Sequence, residues 1–325
     1  MSTTKVIDLH AHVVLEPAFG LAGPYGPDLS DVDGVPTFRV GDYVMAPSRY
    51  RESVFMDLPK RLESMDEIGI DAQLLSPNPL TFFGGVEAQH AVPFAQATND
   101  AMVALVSEAP GRLYGSAQVP LQDIGAACDE AERATSMGLR GVYVSTNYGT
   151  AWDSTDLDPF FEKLVALDQP LFIHPATNDG RSKAPDERLH RFGLDLIVGY
   201  TYEETIIVAT LVLGRVFDRH PDLDICISHG GGAIAYLVDR FDAMARRRGQ
   251  PEDFREHLQN LWFDAHMEPG PARQMLVDLV GTDRMVYGTN FGGWDTPTST
   301  DDFDAALTPN AERLLRLPGS ANIAS

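Results

Sequence analysis

Eight apolar runs of strand character, spaced through 325 residues and separated by stretches of helical periodicity, set the limits on what this chain folds into. They are Val6 to His10, Ala72 to Ser76, Tyr114 to Val119, Gly141 to Ser145, Leu171 to His174, Asp224 to His229, Leu261 to Ala265 and Met285 to Thr289. Helical patterns occupy Leu58 to Ile68, Pro93 to Glu108, Ala126 to Met137, Asp158 to Leu167, Thr205 to Arg219, Ala233 to Arg246 and Gly270 to Val280. Such alternation predicts parallel strands joined by crossover helices. Eight units favour a closed (β/α)8 TIM barrel over an open doubly wound sheet, which would also want an early glycine-rich phosphate loop. A hydrophobic fraction of 44% is ample for that core. We therefore expect one barrel domain over residues 1–325.

Two connections are too long for plain loops. Residues 15–57, rich in Pro and Gly, follow the first strand, and residues 176–202 follow the fifth. Structureless stretches of that length in a compact domain are usually lids or binding loops, so both are expected to cover the mouth as insertions. The tail from Ser320 to Ser325 reads as frayed or free for subunit contacts.

Barrel enzymes place their chemistry at the carboxyl ends of the strands. Here those ends carry His10 and His12, His174, His229 and Asn290. His10 and His12 are two apart on an extended strand, so both imidazoles point to one side and converge. Such a pair among nine histidines is weak evidence alone; its position with other strand-end polar groups gives it weight. His10, His12 and His174 supply three nitrogens for a cation. Zinc suits them, with manganese, iron and nickel also compatible. His229 precedes Gly230, Gly231 and Gly232 at a helix start, a plausible anion seat. It reads as a fourth ligand, a proton donor and acceptor, or a residue tolerated in a tight turn, with proton transfer ranked first.

The net charge of -22 opposes binding to nucleic acid or an anionic membrane, so any anionic substrate must be met locally. Cys128 and Cys226 read as small buried side chains rather than a disulfide framework, which fits a reducing cytoplasm. No basic-then-apolar leader opens the sequence, and no apolar run reaches the ~18 residues of a membrane span. A soluble cytoplasmic protein is expected.

His10-x-His12, His174-Pro175, His229 with its three glycines and Gly288-Thr289-Asn290 together resemble the amidohydrolase superfamily. Within it they are similar to the branch of 2-amino-3-carboxymuconate-6-semialdehyde decarboxylase and aromatic-acid decarboxylases. The resemblance runs from residue 5 to about residue 317, through Arg51-Glu52, Gly199 to Gly214 and the Asn310 to Leu315 stretch. It implies one divalent metal held at His10, His12, His174 and position 290, zinc before manganese, with His229 as acid/base. It further implies that Arg51 and Arg240 grip substrate carboxylates, Arg240 reaching across a homodimer interface into the neighbouring site.

One departure stands out. The resembled pattern has aspartate where this chain has Asn290. An amide oxygen coordinates weakly and is no carboxylate base, which argues against efficient attack by water. Asp295 is an alternative ligand. Phe82, Phe83 and Trp294 are candidate apolar walls of the pocket. The expected function is metal-dependent, non-oxidative decarboxylation of a small aromatic or muconate-like acid. The alternatives are a hydrolase or hydratase on the same barrel, and a binding protein that has lost its metal.

Overall fold

The computed structural model describes residues 5–176, 186–249 and 254–317. In chain order the strands are β1 (Ile7–Val13), β2 (Asp28–Val32), β3 (Val35–Val40), β4 (Tyr43–Met45), β5 (Ala72–Pro77), β6 (Leu113–Gly115), β7 (Val142–Ser145), β8 (Leu171–His174), β9 (Ile225–Ile227), β10 (Leu261–Asp264) and β11 (Met285–Val286). Eight of them are parallel and make the barrel. They run in two arcs, β1-β5-β6 and β7-β8-β9-β10-β11. Isolated bridges, Ala117 to Val142 and Ala11 to Phe291, close the ring between the arcs. Leu9 N also donates to Tyr287 O at 2.9 Å. β1, β5, β7 and β8 are buried along their whole length, as strands covered on both faces must be, which is why they read as near-continuous apolar runs.

Helices cover the outside where the periodicity placed them. α1 (Leu58–Ile68) starts on Asp57, whose carboxylate accepts from Lys60 N at 3.0 Å, and stops at Gly69 in the left-handed region, φ 94°. α2 (Ala88–Ser107), α3 (Ile124–Ser136) and α4 (Asp158–Ala166) follow. The pattern expected from Thr205 to Arg219 divides into α5 (Tyr200–Leu213) and α6 (Val216–Arg219). At the break, a Cβ on Gly214 would lie 2.1 Å from the Asp153 side chain. The remaining helices are α7 (Ile234–Arg247), α8 (Phe254–His257), α9 (Pro271–Val280), α10 (Asp302–Ala306) and α11 (Thr308–Leu314). Among the described residues one helical stretch, Asp195–Leu213, is long and apolar enough to cross a membrane by length and composition, and 44% of its most apolar window is buried inside the protein.

The first insertion is more ordered than its composition implies. β2, β3 and β4 form an antiparallel meander, with Asp33 (φ 52°) and Gly34 (φ 81°) as the two-residue turn between Val32 and Val35. An Asp-Gly pair between extended segments is a hairpin signal, so this part of the expectation of a structureless lid is corrected. Its apolar side packs Phe38, Val40 and Tyr50 against Phe83 and Phe94 as a separate small core. In the second insertion residues 177–185 lie outside the described residues. Glu187–His190 and Asp195–Gly199 there form short helical turns leading into α5. The 320–325 tail also lies outside.

Candidate metal centre and active site

β1 delivers His10 and His12 to the barrel axis, both buried, with their Nε2 atoms 3.2 Å apart. β8 brings His174 within 4.8 Å of each, measured between ring centroids. Every one of the three has its other nitrogen occupied. His10 Nδ1 meets Asp264 Oδ2 at 2.8 Å, His12 Nδ1 meets Ser76 Oγ at 2.8 Å, and His174 Nδ1 donates to Pro175 O at 2.7 Å. Outer partners of this kind fix the tautomer and aim the Nε2 lone pairs inward. His174 Nε2 is buried with no hydrogen-bond partner among the described residues.

Convergent lone pairs repel one another and are costly to bury without a donor. A divalent cation satisfies all of them, and the donor set fits one well. Burial holds His10, His12 and His174 well below the usual imidazole range, so they are neutral, as ligands must be.

Beneath the imidazoles, buried polar groups lock the strands. Asp8 accepts from His10 N, Thr289 N, Thr289 Oγ1 and Gln73 Nε2 at 2.7–3.1 Å. Its burial nonetheless raises its carboxyl to about 7. Arg61, buried on α1, donates to Gln73 Oε1 at 2.8 Å, to Val54 O at 2.9 Å and to His12 O. α1 thereby holds the backbone of the ligand strand.

His229 leaves β9 in the left-handed region, φ 45°, with its ring 4.8 Å from His10 and 5.0 Å from His174. Its Nδ1 lies 2.6 Å from Glu204 Oε1. Burial pushes Glu204 well above, and His229 below, their ordinary ranges, so the contact favours one shared proton and leaves His229 Nε2 for the cavity. His10, His174 and His229 each present an atom within 4.8 Å of the others, and His12 joins through His10.

The glycines after His229 are not the anion seat that the sequence suggested. Gly231 N and Gly232 N donate to Ser228 O and His229 O, Ala233 N donates to Thr205 Oγ1, and Gly230 N approaches Asp264 Oδ1 at 3.4 Å. Their N–H groups are already engaged within the protein. They serve packing instead: a Cβ on Gly232, φ 67°, would fall 2.1 Å from Thr201 O. Gly232→Ala is expected to cost roughly 2–4 kcal/mol, a left-handed penalty plus overpacking, read from its urea midpoint.

A cavity of about 780 Å³ opens over the imidazoles. Tyr43, Tyr50, Phe55, Leu80, Ile197, Tyr200 and Trp294 wall it, with Glu268, Asn290 and Asp295 as polar lining. Among the described residues no lysine or arginine lines it.

The sequence-derived candidates fall in different places. His12, His174, His229, Asn290, Asp295 and Trp294 line this cavity, Trp294 at 70% exposure, and His10 lies buried against them. Phe83 does not: it is buried against Phe94, ring centroids 4.7 Å apart, in the core of the insertion. Phe82 lies behind His174, stacked on Tyr143. Arg51 also lies off the cavity, its guanidinium 2.5 Å from Glu16 Oε1 and half exposed. Arg240 sits on α7 in a surface groove with Leu237, Phe241 and Met244.

Sequence reasoning missed Asp264, His266 and Glu204. The first two had a signal: the seventh run ends Asp264-Ala265-His266, two polar groups two apart, as on β1. Glu204 had none, because it reaches His229 from inside an apolar helix.

The chain belongs to the amidohydrolase family, whose model matches residues 7–317. It is 29% identical over 239 residues to 2-amino-3-carboxymuconate-6-semialdehyde decarboxylase of Dictyostelium discoideum, covering 71% of this chain and 65% of that protein. Gamma-resorcylate decarboxylase of Rhodococcus jostii is 27% identical over 278 residues, covering 78% and 83%. A 2-keto-4-carboxy-3-hexenedioate hydratase of Sphingobium is 28% identical over 244 residues, covering 72% and 69%. The fold matches 5-carboxyvanillate decarboxylase of Sphingomonas paucimobilis, TM-score 0.79 at 24% identity over 97% and 99% of the two chains. It also matches dihydroxybenzoic acid decarboxylase of Polaromonas, solved with bound manganese and 2-nitroresorcinol, TM-score 0.74 at 22% identity over 97% and 98%.

Proposed function

We propose that this chain is a metal-dependent, non-oxidative decarboxylase, a carbon–carbon lyase acting on a small aromatic or muconate-like carboxylic acid. The observation that carries the reading is the set of buried imidazoles, His10, His12 and His174, with outer nitrogens engaged and Nε2 atoms convergent, beside a fourth imidazole backed by Glu204. Decarboxylases among its relatives support it. His10, His12 and His174, with Asn290, would hold one divalent ion, zinc or the manganese found in the Polaromonas enzyme. When bound, that ion would supply positive charge to offset that of an anionic substrate.

The protein's own groups account for the rest. His229, once it has taken a proton from water at Nε2 with Glu204 at Nδ1 offsetting the charge, gives that proton to the carbon that bears the carboxylate. The bond to the carboxylate then breaks, its electron pair stays with the ring or enamine, and carbon dioxide leaves. Glu204, bound at Nδ1, keeps the imidazole in orientation and offsets its charge as the proton returns from water. Tyr50, Tyr200, Phe55 and Trp294 supply flat apolar surface and restrict water. With no cationic side chain described in the cavity, charge on the substrate is met by the metal and, in the homodimer we propose, by Arg240 from a second copy. A soluble, cytoplasmic setting completes the proposal.

The metal-loaded protein should release carbon dioxide from at least one member of a panel of hydroxybenzoates and muconates, with one deuterium from heavy water at the vacated carbon. The hydratase relative defines the rival outcome: an unsaturated acid or lactone that gains the elements of labelled water, with no carbon dioxide, would overturn the proposal.

A further inference from the structure

We infer that Asp295 is a positioning residue for the centre, acting through Asn290 by fixing which end of its amide faces the imidazoles. This rests on the metal-site reading above. An amide side chain has a donor end and an acceptor end, and its hydrogen-bond partners decide which way each points. Asn290 Nδ2 donates to Asp295 Oδ1 at 2.8 Å, so the carboxylate captures the donor end. Asn290 Oδ1, the end able to meet a cation, is then directed away from Asp295.

The backbone places that amide beside the ligands. Thr289 N donates to Asp8 Oδ1 at 3.1 Å and Phe291 N to His10 O at 3.1 Å, so residue 290 is tied on both sides to the strand that carries His10 and His12. Asn290 takes φ 49°, a conformation that asparagine tolerates. The turn to Asp295 is tight: Gly293 N donates to Asn290 O at 2.7 Å, and a Cβ on Gly293 would come within 2.7 Å of Asn290 Nδ2. Asp295 is steadied from the other side by His266, whose Nε2 lies 3.6 Å from Oδ2. A neutral ligand at 290 is thus paired with a negative charge one bond-length of hydrogen bonding further out.

Affinity for Mn²⁺, measured by competition with a chromophoric chelator, tests the inference in the full-length protein. Asp295→Ala should weaken binding by about 10- to 100-fold, the range for loss of an outer-shell partner. Asp295→Asn keeps an acceptor oxygen for Nδ2 and should stay within about threefold of wild type on the same scale. Asn290→Leu removes the amide, and adding Asp295→Ala to it should weaken binding no further, the coupling expected when one residue acts through another.

Three results would overturn the inference. One is Asp295→Ala binding like wild type. Another is Asp295→Ala weakening the Asn290→Leu background as much as wild type, which would make Asp295 a ligand itself. The third is an equal loss of metal-free stability in urea, which would make the contact merely structural. If wild type binds Mn²⁺ and the cycle behaves as described while no acid is decarboxylated, the function proposal fails and this inference stands. A wild type that binds neither Mn²⁺ nor Zn²⁺ overturns both.

Discussion

His174→Ala should leave the protein folded but nearly devoid of metal and of activity. His174 is buried at the end of β8, its Nδ1 held by Pro175 O and its Nε2 without a hydrogen-bond partner among the described residues. Removing it takes one of three convergent nitrogens, and it is the one that arrives from outside β1. Two adjacent imidazoles make a far weaker site than three, so metal content by elemental analysis is expected below about 0.2 equivalents against near-stoichiometric loading of wild type. Turnover should fall in parallel. An alanine protein that still carries a full equivalent would show that the ion sits elsewhere, and the proposed chemistry would lose its centre.

The second large effect separates proton transfer from metal binding. His229→Asn preserves the left-handed backbone at φ 45°, which few other residues occupy without strain, and removes the imidazole. Loss of a general acid is expected to lower kcat by about 10²- to 10⁴-fold while metal content and KM stay close to wild type. Glu204→Gln should lower kcat less, since the ring keeps a hydrogen-bonding partner but loses the carboxylate that balances its charge. Loss of metal from His229→Asn would instead assign His229 as a ligand, in line with its place within 4.8 Å of His10 and His174.

Local pattern carried the parts of this protein that depend on local pattern. The barrel strands, the α1 boundaries and the rim imidazoles follow from period, caps and strand ends, all readable within a window of a dozen residues. The β2–β4 meander was obscured by a Pro- and Gly-rich composition, although Asp33-Gly34 marks its turn. β6 ends at Gly115, before the expected Val119, because beyond it Gln118 N turns to Asn99 Oδ1 at 2.8 Å, a side chain from α2. Glu204 and Arg61 sit in helices whose patterns say nothing of a site. Their roles come from contacts 25 and 49 residues away, with His229 and His12. Phe83 and Arg51 show the reverse failure, since residues beside a strand end in sequence need not face the mouth.

The division of the barrel into two arcs would give the proposed metal a mechanical role as well as a chemical one. His10 and His12 belong to the β1-β5-β6 arc and His174 to the β7–β11 arc. A cation held by all three, as proposed, would clasp one arc to the other, across seams spanned by isolated bridges and a few backbone hydrogen bonds such as Leu9 N to Tyr287 O. Ligand binding of that kind adds RT ln(1 + [L]/Kd) to stability, so thawing the clasp with a chelator should lower the melting temperature. Resistance to heat would then track the free ion in the medium, and the protein's endurance would be set by metal supply as much as by its core.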